Sequence, residues 1–239
     1  MKNQMKNQII HLDKKILILN KPPGVTTVEN KTPNISNLTA LAREYLKEIN
    51  GYPPKFFAAC NRLDRDTSGI VIFALKKTAA QSINKQFERR EVEKMYRAIC
   101  KANSQEVFND FILNESKPGR KKITGYITRK DNLRLELTDK KSEGKTSLTY
   151  YKIEKYVASK HLAEFLLYPK TGRTHQLRVH LESIGFPILG DELYGGDWDD
   201  SFEDVPRLML HAEAVTFVHP ETKKTVSFQV APPWKENLI

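Results

Sequence analysis

The chain has 239 residues, of which 39% are hydrophobic and 28% charged, a balance typical of a globular protein. No apolar run approaches the roughly 20 residues needed to cross a bilayer, which excludes a membrane span. Lys and Arg outnumber Asp and Glu by 39 to 29, and this positive excess favours polyanionic partners, nucleic acid first. The polar start MKNQMKNQ lacks the apolar stretch of a secretory signal, so we expect a cytoplasmic protein.

The two cysteines, Cys60 and Cys100, are too few for a disulfide framework and lack the paired spacing of a zinc site. We expect them to be small buried hydrophobic residues in a reducing compartment.

The first predicted strand covers residues 16–19, and a rigid loop follows at 20–24 because Pro22 and Pro23 remove backbone donors. Apolar residues then recur at helical spacing up to residue 46, which predicts a helix with Ser36 as its N-cap and Gly51 just beyond its end.

The continuous apolar run at residues 70–75 predicts a strand that is buried on both faces. A helix should follow at once, with Thr78 and Gln81 at the spacing of a capping box. Residues 96–100 predict the next strand.

The pattern is weaker between residues 111 and 145, where the basic, turn-rich segment 117–122 predicts a loop or small hairpin. Residues 148–157 and 162–168 predict a pair of strands around a short turn.

A helix should follow Gly172, with Leu177, Leu181 and Ile184 on its buried stripe. A last hairpin is predicted from residues 208–217 and 225–230. The sum of these patterns indicates an α+β fold with a mixed, largely antiparallel sheet and helices to its side.

Polar residues precede the most hydrophobic strand, in the segment Arg62-Leu63-Asp64-Arg65-Asp66-Thr67-Ser68-Gly69. A turn here would hold Asp64 at the edge of the core, where a carboxylate needs donors or a cation. From the residues alone, an Asx-type turn and a catalytic carboxylate are equally good interpretations.

A second cluster, Thr171-Gly172-Arg173-Thr174-His175-Gln176-Leu177-Arg178-Val179-His180, enters a helix with two arginines and two histidines. His175 and His180 are five residues apart, whereas zinc-binding helices space their histidines by four, so a metal site is disfavoured. Arg178 follows the buried Leu177 and can reach inward to a carboxylate. The alternative is a solvated basic face.

Both clusters resemble the RluA class of RNA pseudouridine synthases, together with four further segments that occur in the family's order between residues 16 and 233. These segments are Asn20-Lys21-Pro22-Pro23-Gly24, Lys94-Met95-Tyr96-Arg97-Ala98, Pro187-Ile188-Leu189-Gly190-Asp191 and Arg207-Leu208-Met209-Leu210-His211-Ala212.

The resemblance implies a pseudouridine synthase-like sheet with a central catalytic cleft. Asp64 matches the family's nucleophilic aspartate, Tyr96 the tyrosine against the target base, and Arg178 the arginine paired with the aspartate. Arg62 matches a residue that helps hold the target nucleotide out of its helix. Further RNA contacts are expected from Thr67, Arg173, His175, Gln176, Leu210, Lys121 and Lys122. Asn61 departs from the family's usual histidine, which bears on local RNA contacts.

The resemblance also implies a single catalytic domain over residues 1–239, with residues 1–15 as a short extension and no N-terminal S4 domain. The expected partner is structured RNA, either tRNA or 23S-type rRNA, for a monomer that uses no cofactor and no metal. One alternative is an RNA-binding or RNA-chaperone module in which catalysis is dispensable. A weaker one is a metal-dependent nuclease using Asp64, Asp66, His175 and His180.

Overall fold

The computed structural model describes residues 5–28, 37–115, 120–195, 205 and 207–234. The strands are β1 (Ile9–Leu12), β2 (Ile16–Lys21), β3 (Ala58–Ala59), β4 (Ser68–Ala74), β5 (Glu93–Lys101), β6 (Lys121–Arg129), β7 (Leu135–Thr138), β8 (Lys145–Val157), β9 (Leu162–Pro169), β10 (Leu210–Val218) and β11 (Thr225–Gln229). The helices are α1 (Leu38–Asn50), α2 (Lys77–Glu88), α3 (Gln105–Glu115) and α4 (Gln176–Ser183). The elements confirm the α+β fold class.

The chain divides into two compact units. Unit 1 contains Met1–Lys94 and Ala212–Pro232, and unit 2 contains Met95–His211 and Pro233–Ile239. Each unit has its own hydrophobic cluster, so each supplies a rigid support for the functional side chains that it carries.

In unit 1, β2 and β4 are antiparallel over their full length, from Ile16 opposite Ala74 to Lys21 opposite Gly69. Every residue of β4 is buried, as its unbroken apolar sequence predicts. The cluster of this unit comprises Ile16, Ile18, Ile70, Ile72, Ile83, Val92, Val215 and Phe217. The predicted C-terminal hairpin is confirmed by the antiparallel pairing of β10 with β11.

Both helices of unit 1 were predicted, but their first residues were not. The side chain of Asn37 caps α1 by accepting a hydrogen bond from the Ala40 amide, and Ser36, the predicted cap, lies outside the described residues. The capping box at Thr78 is wrong, because α2 begins at Lys77 after Lys76, which makes no side-chain capping bond.

In unit 2 the antiparallel order is β5-β9-β8-β6-β7. The hairpin predicted between β8 and β9 is confirmed, and a short 3-10 turn at Ala158–Lys160 joins the strands. Phe165 and Phe186 are fully buried near the centre of the cluster of this unit.

The prediction of a loop at residues 117–122 is wrong for its last two lysines. Lys121 and Lys122 begin β6, where they lie opposite Tyr151 and Tyr150 of β8. Pairing with the long strand β8 supplies the backbone hydrogen bonds that a local reading of this basic segment could not anticipate. Residues 117–119 lie outside the described ranges.

The two cysteines differ in their environment. Cys100 is fully buried, as predicted, whereas Cys60 is only partly buried. Desolvation raises the pKa of the Cys60 thiol to about 12, so both thiols stay protonated and act as small apolar groups. Within the described part of the chain, no helix is long and apolar enough to cross a membrane.

Candidate active site

Asp64 lies in a tight turn at the entrance to β4. The Thr67 amide donates to the Asp64 carbonyl at 3.2 Å, so the main chain closes the turn. The half-buried Asp64 carboxylate accepts no hydrogen bond from the described residues of its own unit. An Asx-type turn is therefore not its role, and the carboxylate stays available for chemistry.

A buried lysine holds this turn to the proline loop. The Lys21 side chain has no exposed surface, and its ammonium donates to the carbonyls of Pro22, Val25 and Arg65 at 2.9, 2.6 and 2.8 Å. The bond to Arg65 fixes the residue directly after Asp64. A buried cation is tolerated here because carbonyl dipoles replace its water shell.

The residues before Asp64 are fixed by two polar side chains. The Thr27 hydroxyl donates to the Leu63 carbonyl and accepts from the Leu63 amide, both at 3.1 Å. Asn61 pairs with β4, donating to the Ile70 carbonyl at 3.2 Å and accepting from the Ile72 amide at 2.8 Å. Asn61, the departure from the family pattern, thus has a structural task on the strand that follows Asp64.

Gly69 ends the turn in a conformation that only glycine adopts readily, with φ of +114°. A Cβ atom at this position would lie 2.3 Å from the carbonyl oxygen of Ala212. Close packing of β10 against β4 therefore fixes the point at which the catalytic turn enters the sheet.

Tyr96 lies on β5 of unit 2, opposite Leu167 of β9. Its ring is half-buried and packs against the hydrophobic cluster of this unit. The next residue, Arg97, forms an ion pair of 2.9 Å with Glu164. The strand thus presents Tyr96 from a rigid, well-packed support.

The amide of Gln176 secures the start of α4. Its oxygen accepts from the Thr171 hydroxyl at 2.7 Å and from the Arg173 amide at 3.0 Å. Its nitrogen donates to the Leu148 carbonyl and the Thr149 hydroxyl. The side chain is 4% exposed, so its observed function is to hold the glycine turn onto β8.

Arg178 points inward from α4 to a carboxylate, as its place beside Leu177 predicts. That carboxylate is Asp191, which accepts from Nε at 2.7 Å and from Nη2 at 2.6 Å. The guanidinium carbon also lies 4.8 Å from the centre of the Tyr194 ring. A bidentate pair fixes the guanidinium plane in a way that a single bond does not.

The two histidines of the α4 segment have separate partners. Nδ1 of His175, whose φ is +52°, lies 2.9 Å from the Tyr194 hydroxyl. His180 is fully buried with Nε2 2.8 Å from the Ser147 hydroxyl. No cluster of three His, Cys, Asp or Glu side chains suited to a metal occurs within the ranges that the structure describes.

The other residues expected to contact RNA fall into two groups. Arg62, Arg173 and Lys122 are exposed, Lys121 and His175 are half-buried, and Thr67, Gln176 and Leu210 are buried. The exposed group can meet phosphate directly, whereas the buried side chains shape the support beneath it.

Two important residues were not singled out from the sequence, Asp191 and Lys21. Both belong to the motifs that carry the family resemblance, but neither has a local pattern that reveals a buried ion pair or a buried ammonium.

The RNA pseudouridylate synthase family model matches residues 15–183. Among curated relatives, the chain is 34% identical to the dual-specificity RNA pseudouridine synthase RluA of Pasteurella multocida, over 94% of this chain and 92% of that protein. It is 35% identical to ribosomal large subunit pseudouridine synthase C of Buchnera aphidicola, over 90% of this chain but only 64% of the relative's length.

A solved structure, human RNA pseudouridylate synthase domain containing 1, is similar with a TM-score of 0.69 and 27% identity. The match covers 97% of this chain and 86% of that chain. The chain therefore belongs to the RNA pseudouridylate synthase family, and within it to the RluA class.

Proposed function

We propose that the chain is an enzyme that isomerises selected uridines of structured RNA to pseudouridine in the cytoplasm, as a monomer and without a cofactor. The observation that carries this proposal is the Asp64 turn, fixed on both sides while the carboxylate itself accepts no hydrogen bond within its unit. A carboxylate whose support is rigid and whose oxygens are not used for folding is suited to act on a substrate.

The reaction is an isomerisation, so its atoms balance without a second reactant. The glycosidic bond from the ribose to N1 breaks, the uracil turns, and a new bond forms from the ribose to C5. The proton leaves C5, and N1 gains one. Nothing is oxidised, and Asp64 has to be ionised to act as nucleophile or base.

Tyr96 and Arg178 complete the proposed catalytic set. Tyr96 offers a phenol ring for contact with the uracil and a hydroxyl for proton transfer. Arg178 supplies a positive charge that favours the ionised form of Asp64 against desolvation. Because Asp191 already engages Nε and Nη2 of Arg178, contact with Asp64 would use the remaining side of the guanidinium.

The proposed substrate is tRNA or large-subunit rRNA, the two RNA classes for which sequence resemblance and the names of the relatives give support. A uridine inside a stacked segment must be extruded at a cost of a few kcal/mol. The exposed Arg62, two residues before Asp64, is placed to fill the space that the base leaves. Exposed lysines and arginines would add salt-sensitive phosphate contacts.

The test is tritium release from RNA labelled at C5 of uridine, using tRNA and rRNA transcripts that carry sites first mapped in cells with and without the gene. Asp64→Asn should lower turnover by at least about a thousandfold. Asp66→Asn is the matched control, because Asp66 lies in the same turn but pairs with Arg65 at 2.9 Å. Substantial turnover by Asp64→Asn would refute the proposed role.

A further inference from the structure

One face of the unit 2 sheet carries no helix of that unit among the described residues. Side chains alternate along a strand, and Ile123 of β6, Tyr151 of β8 and Leu167 of β9 point into the hydrophobic cluster. Helix α3 packs there through Phe111, whose ring lies 6.1 Å from that of Tyr151. Helix α4 also bonds to that side. The neighbouring residues of each strand therefore point the other way.

The opposite surface, here called the outer face, is formed by Arg120, Lys122, Leu148, Tyr150, Lys152 and Tyr168. Its centre is a row across three strands, because Lys122 is opposite Tyr150 and Tyr150 is opposite Tyr168. Lys122 is exposed, and the two tyrosines are half-buried. Cross-strand neighbours lie about 5 Å apart, so the row is a continuous polar and aromatic strip.

The outer face is positively charged. Lys152 pairs with Glu154 at 2.7 Å, whereas Arg120 and Lys122 have no carboxylate partner among the residues that the structure describes. The guanidinium carbon of Arg120 lies 3.6 Å from the centre of the Tyr168 ring. This stacking fixes the arginine on the face while its N–H groups remain suited to an anion.

Tyr150 has a different environment from Tyr168. Its ring stacks on no aromatic or cationic group of the described chain, and its hydroxyl has no hydrogen-bond partner there. A flat aromatic ring beside two cations on an uncovered sheet is the combination that binds single-stranded nucleic acid, with a base on the ring and phosphates on the cations. A protein partner with an apolar surface would not compensate the charge of Arg120 and Lys122.

We propose that the outer face binds a single-stranded stretch of RNA outside the target uridine, with one base stacked on Tyr150 and phosphates on Lys122 and Arg120. The proposal rests on the proposed function only in taking RNA as the substrate. Binding here requires neither Asp64 nor turnover. The site would give the enzyme a hold on RNA whose contribution is to affinity rather than to the chemical step.

The experiment measures fluorescence anisotropy of a labelled oligouridylate of about 12 nucleotides, within the usual site size for single strands, with the full-length chain. Tyr150→Leu, which keeps an apolar side chain on the sheet, should weaken binding at least about fivefold, while Tyr150→Phe should bind like the wild type. The double variant Arg120→Ala/Lys122→Ala should also lower the salt dependence by about 1.4 in slope.

The matched control is Lys130→Ala/Lys141→Ala, which removes two exposed lysines of the same unit away from the outer face. If it weakens binding as much as Arg120→Ala/Lys122→Ala, or if Tyr150→Leu binds normally, the inference is overturned. Loss of binding to phosphatidylglycerol vesicles without any change for RNA would also overturn it and indicate a lipid surface. The Asp64→Asn chain should bind the probe normally, so failure of the catalytic proposal and failure of this one give different results.

Discussion

Asp191, whose side chain is completely buried, holds the guanidinium of Arg178 through two hydrogen bonds of 2.7 and 2.6 Å. The same carboxylate accepts from the amides of Leu193 and Tyr194, both at 3.0 Å. One acid thus fixes both the arginine and the chain that follows. If Arg178 acts on Asp64 as proposed, Asp191 is a positioning residue that determines where the positive charge stands.

Asp191→Asn should therefore reduce both stability and turnover. The amide would present N–H groups to a guanidinium that can only donate, and breaking a buried pair in this way costs about 3 kcal/mol of unfolding free energy. Urea unfolding measures that loss. Steady-state kinetics should show a fall in kcat with KM for RNA nearly unchanged, because Asp191 fixes Arg178 and is buried away from bulk RNA.

The control for Asp191→Asn is Asp139→Asn, at an exposed position of the same unit. It should leave both unfolding and kcat unchanged. If Asp191→Asn destabilises the chain but keeps full kcat at a temperature where it is folded, the carboxylate is only structural.

Lys21→Met should loosen the turn that carries Asp64. The variant keeps the length of the side chain but leaves the carbonyls of Pro22, Val25 and Arg65 without the ammonium. Buried acceptors that lose a partner cost about 1 to 3 kcal/mol each, so we expect a total loss of roughly 3 kcal/mol or more. Hydrogen exchange should become faster in the Asp64 turn, and Lys14→Met, at an exposed position, should change neither quantity.

Local sequence patterns predicted the strands and hairpins that depend on neighbouring residues. The apolar run of β4 and the turn between β8 and β9 are examples. Helix α3 was missed, although Val107, Phe108 and Phe111 have helical spacing, because the basic segment that follows it drew attention to a loop.

The candidate site was only partly predictable for a different reason. The inward direction of Arg178 follows from its place beside Leu177, but its partner is 13 residues away and is chosen by the fold. Likewise, the three acceptors of Lys21 include Arg65, which is 44 residues away. Periodicity specifies which side of an element a residue occupies, and it carries no information about such distant pairs.

Gly69→Ala should be severely destabilising, for two reasons that a control can separate. The new Cβ would lie 2.3 Å from the Ala212 carbonyl oxygen, in a backbone conformation with φ of +114°. Gly51→Ala places a Cβ at φ of +79° with no atom within 4 Å, so it measures the conformational cost alone, about 1 kcal/mol. Thermal or urea unfolding should show a loss at least about twice as large for Gly69→Ala, and equal losses would contradict the close approach of β10.

His180 should make the stability of the fold depend on pH. Burial lowers the pKa of this imidazole from 6.5 to about 4, because the charged form is disfavoured away from water. The folded state therefore keeps His180 neutral at pH values where the unfolded chain already binds a proton. The unfolding free energy should fall as pH drops from about 7 to 4, by about 3 kcal/mol in total.

Urea unfolding at a series of pH values measures this slope, and His180→Gln should flatten it while keeping a donor for the Ser147 hydroxyl. Asp13 provides an internal comparison, because hydrogen bonds from His11 and from the amides of Lys15 and Ile16 outweigh burial and lower its pKa to about 2. The stability due to Asp13 is present above its ordinary pKa and is lost only below about pH 4. A slope between pH 7 and 4 that persists in His180→Gln would therefore assign the effect to another group.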